Sequence, residues 1–223
     1  MFRIKRLQEK TMTELILIRH GQSYGNLECR FLGHTDKDIT PLGVSQAECT
    51  AAALVNWVPD AIYASNLLRA MHTAEPFAIQ WHLPIRPCVQ LREIFAGEWE
   101  DMPFEELQAK FGDSYHTFRT NIGHAHPEGG ESVAHVRERV TGTIRAIADQ
   151  YPNGRILIVS HATVIHSFIC EVMGLTADTA NHLALPVNAS MTTVRYDGNK
   201  FILCSYSSAE HLGDLKTARP PLC

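Results

Sequence analysis

Two short apolar runs, each followed by a histidine, constrain the fold of this sequence more than any other feature. Residues 14–19 read Glu-Leu-Ile-Leu-Ile-Arg and precede His20, and residues 155–160 read Arg-Ile-Leu-Ile-Val-Ser and precede His161. Continuous aliphatic runs of this length are typical of strands buried on both faces of a mostly parallel sheet. Because ligands bind such sheets at the carboxyl ends of the strands, we expect both histidines at one ligand-binding edge.

Helical patterns alternate with these strand patterns along the chain. Thr40 and Pro41 mark one helix start, and Ser65 or Asn66 is the expected cap of the next helix. The pattern predicts helices over residues 41–56, 67–80, 103–111, 132–149 and 163–173, strands over 61–64 and 84–89, and a hairpin of 191–196 with 200–206. This alternation implies an α/β fold, a three-layer sandwich whose mostly parallel central sheet is flanked by helices.

The length of 223 residues and the 45% hydrophobic content predict a single domain over residues 1–223. Residues 1–12 and 214–223 have the composition of flexible tails. The pattern weakens over residues 94–131, where glycine and proline concentrate in 121–130, so this segment is the candidate lid-like insertion.

Composition excludes several classes of partner. A net charge of −4 offers no overall attraction to nucleic acid or to an anionic membrane. No apolar stretch approaches the roughly 18 residues that a membrane span needs. The six cysteines form no Cys-x-x-Cys pair, which is typical of a reducing compartment, so we expect a cytoplasmic protein. A homodimer is left open by the sequence.

The residues around the first histidine carry the sharpest chemical signal. Arg19 supplies a forked positive group beside the His20 imidazole, and Gly21 permits close backbone approach. Ser23 and Asn26 follow at the mouth of the predicted strand. This arrangement suits an oxyanion, although an isolated Arg-His pair also fits a strand that simply ends at the surface.

Four ordered segments between residues 15 and 163 resemble the histidine phosphatase superfamily, in its phosphoglycerate mutase-like family and the phosphatase branch of it. The matching segments are Leu17 to Ser23 with Asn26, Arg30, Gly33 and Asp36; Ser65 to Ala70 with Thr73 and Ala74; Glu93 with Gly97, Trp99 and Glu100; and Ser160 to Ala162. The sequence departs from the family pattern at Gln22, Asn66, Asp101 and Ala162, which puts the choice of substrate in doubt.

The resemblance implies a covalent mechanism in which His20 attacks phosphorus and becomes phosphohistidine on Nε2. For that, Nδ1 should donate its proton to a backbone carbonyl, which orients the ring. Arg19, Arg69 and His161 would neutralise the phosphoryl oxygens in place of magnesium, so we expect no metal and no other cofactor.

Glu93 is the expected acid and base of this mechanism, because it follows a predicted strand, whereas Glu98 and Glu100 have the pattern of solvated residues. Asn26 and the backbone N–H groups of Ala162 and Thr163 would complete the phosphate site, beside Gly21 and Ser23. The predicted substrate is a small phosphorylated metabolite.

Three other interpretations stay open at this point. A phosphoglycerate mutase would share the first half of the reaction, but residues 94–160 hold few basic side chains and form a shorter segment than in mutases of the family. A non-catalytic phosphate-binding or scaffold protein would retain the pocket without turnover. A metal site at His124 and His126 is disfavoured because no His-Glu-x-x-His motif accompanies them; with His116 they are candidate lid residues that contact substrate.

Overall fold

A six-stranded sheet forms the centre of the computed structural model, which describes residues 12–217. Its order is β4-β3-β6-β1-β7-β8, and a separate small sheet pairs β2 with β5. Strands β4, β3, β6 and β1 run parallel, whereas β7 and β8 pair antiparallel at one edge. The strands are β1 (Thr13–Arg19), β2 (Arg30–Phe31), β3 (Ala61–Ser65), β4 (Ile85–Cys88), β5 (Met102–Pro103), β6 (Arg155–Ser160), β7 (Met191–Tyr196) and β8 (Phe201–Ser208).

Helices cover both faces of the central sheet, which confirms the predicted three-layer α/β sandwich. They are α1 (Tyr24–Leu27), α2 (Pro41–Ala53), α3 (Leu68–Trp81), α4 (Phe104–Thr120), α5 (Val133–Asp149) and α6 (Ala162–Val172). Strand β1 serves both layers: Leu15 and Leu17 join the core with α5 and α6, and Ile16 and Ile18 join the core with α2 and α3. Side chains of a strand alternate between faces, so one apolar run supports two cores.

Two helix boundaries differ from the sequence prediction by more than one residue. Helix α2 ends at Ala53 rather than near residue 56. Helix α4 extends to Thr120 rather than 111, with non-helical backbone angles at Phe111 inside it. Its pattern is weak in the sequence because Leu107 and Tyr115 are its only fully buried residues.

The predicted cap of α3 is wrong. Leu67 occupies the cap position and its own side chain makes no capping hydrogen bond, whereas Ser65 lies within β3. Asn66 instead accepts a hydrogen bond from Arg92 Nε through Oδ1 at 2.7 Å. Helix α1, which the sequence analysis did not predict, begins after Ser23, whose side chain caps it.

The segment 94–131, predicted as a lid-like insertion, contributes buried side chains to the larger core. Trp99 is fully buried against Phe31 and Tyr115, and its Nε1 donates to Glu128 Oε2 at 2.7 Å. The part predicted as a loop contains a short 3-10 turn, Ile122–His124. The segment is therefore packed onto the sheet layer rather than standing apart from it.

The predicted C-terminal tail begins too early. Leu215 accepts a hydrogen bond from Gln46 Nε2 at 2.8 Å, and Thr217 Oγ1 donates to Asn188 Oδ1 at 3.3 Å. Residues 214–217 are thus bonded to the domain. The rest of that tail, and the N-terminal one up to residue 11, lie outside the described residues. Across 12–217, no helix has the length and apolarity to cross a membrane.

Replacement of Trp99 by alanine tests whether the segment 94–131 belongs to the core. Loss of a fully buried indole and its hydrogen bond should lower the free energy of unfolding by about 3–5 kcal/mol. Urea denaturation measures this, with Ile79→Ala as the control because that side chain is 72% exposed. A loss below about 1 kcal/mol would contradict the packed arrangement.

Candidate active site

His20 is held by two backbone contacts at the end of β1. Its N–H donates to Ser160 O of the neighbouring strand at 2.9 Å, and its Nδ1 lies 2.7 Å from Gly21 O. A carbonyl only accepts, so Nδ1 carries the proton and Nε2 is the nitrogen with a lone pair. The Nδ1–carbonyl contact expected for an attacking histidine is present.

Burial keeps the His20 imidazole neutral. Desolvation lowers its pKa well below the usual value, the charges of Arg69 and Arg19 lower it further, and the hydrogen bond to Gly21 opposes them. A neutral ring offers the Nε2 lone pair over the whole neutral pH range.

His161 lies beside His20 because β6 pairs with β1 in parallel. Arg19 and Ser160 are partners in the register, so the residues after them emerge together, and the two imidazole centroids lie 5.2 Å apart. His161 is fully buried, and neither ring nitrogen has a hydrogen-bond partner within residues 12–217. Burial lowers its pKa well below the usual value, as does the charge of Arg69.

Arg69 enters the same space from the second position of α3. Its Nη1 donates to Thr35 O at 2.9 Å and its Nη2 donates to Gly33 O at 2.7 Å, and the residue is 1% exposed. Burial lowers its pKa to about 10, while the charge of Glu93 opposes this change. The guanidinium is therefore charged at neutral pH and fixed in orientation.

Glu100 holds the loop that fixes Arg69. Its Oε1 accepts from His34 N–H at 2.7 Å, and its Oε2 accepts from Thr35 N–H at 2.7 Å and from Thr35 Oγ1 at 2.6 Å. The expectation that Glu100 is a solvated residue is wrong, because both oxygens of its carboxylate accept hydrogen bonds from this loop.

Arg19 is the second cation of the site. Its Nη1 donates to Pro186 O at 2.7 Å, and its buried Nε has no partner among the described residues. Burial lowers its pKa to about 10, again opposed by Glu93, so it stays charged at neutral pH.

Glu93 reaches the site from the loop after β4. Its Oε1 accepts from the N–H of Ile94 at 2.9 Å and its Oε2 accepts from the N–H of Thr163 at 3.2 Å. Glu93 is not paired with Arg92, which binds Asn66. The carboxylate therefore occupies the Thr163 donor that the sequence analysis assigned to phosphate. The N–H of Ala162, the first residue of α6, has no acceptor within its own helix and can serve an anion.

Gly21 and Ser23 shape the site rather than forming its surface. The Gly21 N–H donates to Thr73 Oγ1 at 3.0 Å, and a Cβ atom on Gly21 would lie 2.5 Å from Gly43 O of α2. The Ser23 hydroxyl donates to Asn26 Oδ1 at 3.1 Å. Both were predicted as phosphate contacts, and both are instead occupied by protein partners.

Asn188, for which no role was predicted from the sequence, connects His20 with Asn26. It is 5% exposed, and its Nδ2 donates to His20 O at 3.0 Å and to Asn26 Oδ1 at 3.0 Å. With Oδ1 occupied, Asn26 has its Nδ2 group to offer an anion. An asparagine in an irregular segment usually indicates a turn, so the sequence carried no signal for this role.

The candidate lid histidines take part in other contacts. His124 Nε2 lies 2.7 Å from Asp178 Oδ1, His126 Nε2 lies 3.2 Å from Gly130 O, and His116 is exposed on α4. The structure does not bring them into contact with His20 or His161. In the described range, no three His, Cys, Asp or Glu side chains cluster in a way that could hold a metal ion.

The site thus combines a neutral, oriented imidazole with two fixed cations, a buried second imidazole and a carboxylate. These groups suit transfer of a phosphoryl group, because two cations can balance the charge on its oxygens and a neutral imidazole has a lone pair to offer.

Comparisons with known proteins agree with this arrangement. The chain is 29% identical over 201 residues to a Bacillus subtilis (strain 168) protein named uncharacterized phosphatase PhoE, covering 90% of this chain and 97% of that protein. Its fold matches Bacillus stearothermophilus YhfR with a TM-score of 0.86 at 27% identity, over 90% of this chain and 99% of that one. It also matches a phosphoserine phosphatase from Entamoeba histolytica, solved with 3-phosphoglyceric acid, with a TM-score of 0.79 at 30% identity, over 90% and 99%. Residues 15–208 match the model of the histidine phosphatase superfamily (branch 1), and the chain belongs to that family.

Proposed function

We propose that this histidine phosphatase hydrolyses phosphate monoesters of small metabolites without a metal, through a phosphohistidine on His20 Nε2. The observation that carries this proposal is the contact of His20 Nδ1 with Gly21 O, 2.7 Å long. It commits Nδ1 to the protein and leaves the other nitrogen to attack, beside two charged guanidinium groups.

In the first step His20 Nε2 attacks phosphorus and the bond from phosphorus to the leaving oxygen breaks. Glu93, as the carboxylic acid, donates its proton to that oxygen, so the product leaves as an alcohol. Arg19, Arg69 and the ring N–H of the His161 imidazole stabilise the charge on the other phosphoryl oxygens.

In the second step Glu93, now a carboxylate, takes a proton from water while the water oxygen attacks phosphorus. The N–P bond breaks, its electron pair returns to the imidazole, and phosphate leaves. Both Glu93 oxygens accept a backbone N–H, which keeps the carboxyl group in one position for both proton transfers.

Hydrolysis is favoured over a mutase reaction by the small number of basic side chains in residues 94–160 and by the phosphatases among the relatives. The six cysteines include no Cys-x-x-Cys pair, which is typical of a reducing compartment, so we propose a cytoplasmic location.

Replacement of His20 by alanine should abolish the covalent intermediate. Wild-type protein is mixed in excess chelator with a monoester labelled on phosphorus and is then denatured in base, and it should retain the label on histidine. His20→Ala should retain no label, and its turnover should be at least about a thousandfold lower. His116→Ala, which removes an exposed histidine, is the matched control. Label retained by His20→Ala, or turnover that disappears with the chelator, would contradict the proposal.

Glu93→Gln should separate the two steps. With an alkyl ester, loss of the acid should slow the first step about 100-fold or more. With 4-nitrophenyl phosphate, whose leaving group needs no proton, the first step should persist and phosphohistidine should accumulate, since water then lacks its base. Rapid-quench sampling measures both, with Glu98→Gln, an exposed neighbour, as control. Equal losses on both esters without accumulation would exclude Glu93 from this role.

Buried neutral His161 should make the fold less stable in acid. Its folded pKa is lowered, so between that value and about 6.5 the unfolded chain binds a proton that the folded chain does not. Its contribution to stability is thus lost as pH falls below about 6.5, amounting to about 1 kcal/mol between about pH 7 and about pH 5.5. Urea denaturation at about pH 7 and about pH 5.5 measures the free energy of unfolding of both proteins. His161→Asn should lose about 1 kcal/mol less of it than wild type between these two pH values. An identical pH dependence in both proteins would refute it.

A further inference from the structure

Two aromatic rings lie directly beside the backbone of Glu93. His34 Nε2 lies 2.9 Å from Glu93 O, and the His34 ring centroid lies 5.3 Å from that of Phe95. Phe95 is 41% exposed although both of its chain neighbours, Ile94 and Ala96, are fully buried. We call His34 and Phe95 the ring platform; it presents apolar ring surface next to the proposed acid.

Hydrogen bonds fix the backbone of both residues of the ring platform. His34 N–H donates to Glu100 Oε1 at 2.7 Å. Phe95 O accepts from Glu131 N–H at 2.8 Å, and Phe95 N–H donates to Glu131 Oε2 at 3.4 Å. A ligand that contacts the two rings therefore does not have to order the backbone that carries them.

The loop that carries His34 accepts hydrogen bonds from the backbone of two further residues whose apolar side chains are exposed. Its Asp36 Oδ1 accepts from Leu68 N–H at 2.7 Å, and its Asp38 O accepts from Tyr24 N–H at 3.0 Å. Leu68 is 41% exposed and Tyr24 is 42% exposed, and each directly adjoins a residue predicted for the phosphate site.

Charged groups near the ring platform have protein partners. Arg139 Nε pairs with Glu131 Oε1 at 2.7 Å, and Arg92 Nε donates to Asn66 Oδ1 at 2.7 Å. Burial lowers the pKa of His34, opposed by its hydrogen bond to a carbonyl, so the ring is uncharged at neutral pH. The platform thus offers uncharged ring faces.

We propose that the ring platform binds the leaving group, and that the enzyme prefers monoesters whose alcohol carries a flat, uncharged aromatic ring. This inference rests on the proposed function, because the leaving oxygen must lie against the Glu93 carboxyl to receive its proton. The carbon skeleton attached to that oxygen then lies next to Phe95. An aromatic skeleton gains an offset or edge contact with the platform that a carboxylate-bearing one lacks.

The test compares kcat/KM for benzyl phosphate, cyclohexylmethyl phosphate and 3-phosphoglycerate. The first two release alkoxides of similar basicity and differ in whether the ring is flat. Wild type should prefer benzyl phosphate, and Phe95→Leu should lose about two- to tenfold on it with a smaller change on cyclohexylmethyl phosphate. Ile79→Ala, an exposed apolar residue near the far end of α3, should change neither. Phe95 is exposed, so its variants should fold, and circular dichroism checks this.

Each other outcome overturns the inference in a recognisable way. An unchanged preference in Phe95→Leu would remove Phe95 from recognition. A preference for 3-phosphoglycerate would indicate that a cation such as Arg92, rather than the ring platform, recognises the leaving group. Silence of folded wild-type protein on all three esters would remove the proposed function and this inference with it, whereas phosphate release without aromatic preference would remove the inference alone.

Discussion

The parallel pairing of β1 with β6 is the constraint on which the site depends. Its register sets Arg19 opposite Ser160, so His20 and His161 leave the sheet at the same level, with their rings 5.2 Å apart. Both strands are buried on their two faces, and a one-residue slip would move every apolar side chain to the other core. The position of the two histidines is therefore enforced by the hydrophobic free energy of two cores.

Positive charge concentrated in that buried space is costly unless an anion shares it. Burial lowers the pKa values of Arg19 and Arg69 to about 10, and the charge of Glu93 opposes this change at both residues. Two cations against one carboxylate leave a surplus that a phosphate group would neutralise. Burial keeps His20 neutral by lowering its pKa, and the charges of Arg69 and Arg19 add to this effect.

The geometry of the site agrees with the motifs for the residues that converge, and differs from them where a long-range hydrogen bond occupies a predicted phosphate donor. His20, His161, Arg69 and Glu93 converge as the motifs and the resemblance implied. The Thr163 N–H was assigned to phosphate, whereas in the structure it donates to Glu93, which lies 70 positions away in the sequence. Such long-range hydrogen bonds leave no periodic pattern in the sequence.

The sequence by itself determined the layers of the fold, because apolar periodicity is local and selects strand or helix before any partner is present. It also placed His20 and His161 at one edge of the sheet, since each directly follows a buried run. Only the tertiary structure decided which polar groups face the substrate and which face each other. Asn188, Glu100 and Phe95 acquire their positions from segments distant in the chain, because hydrogen bonds and ring contacts depend on proximity in space rather than on spacing in sequence.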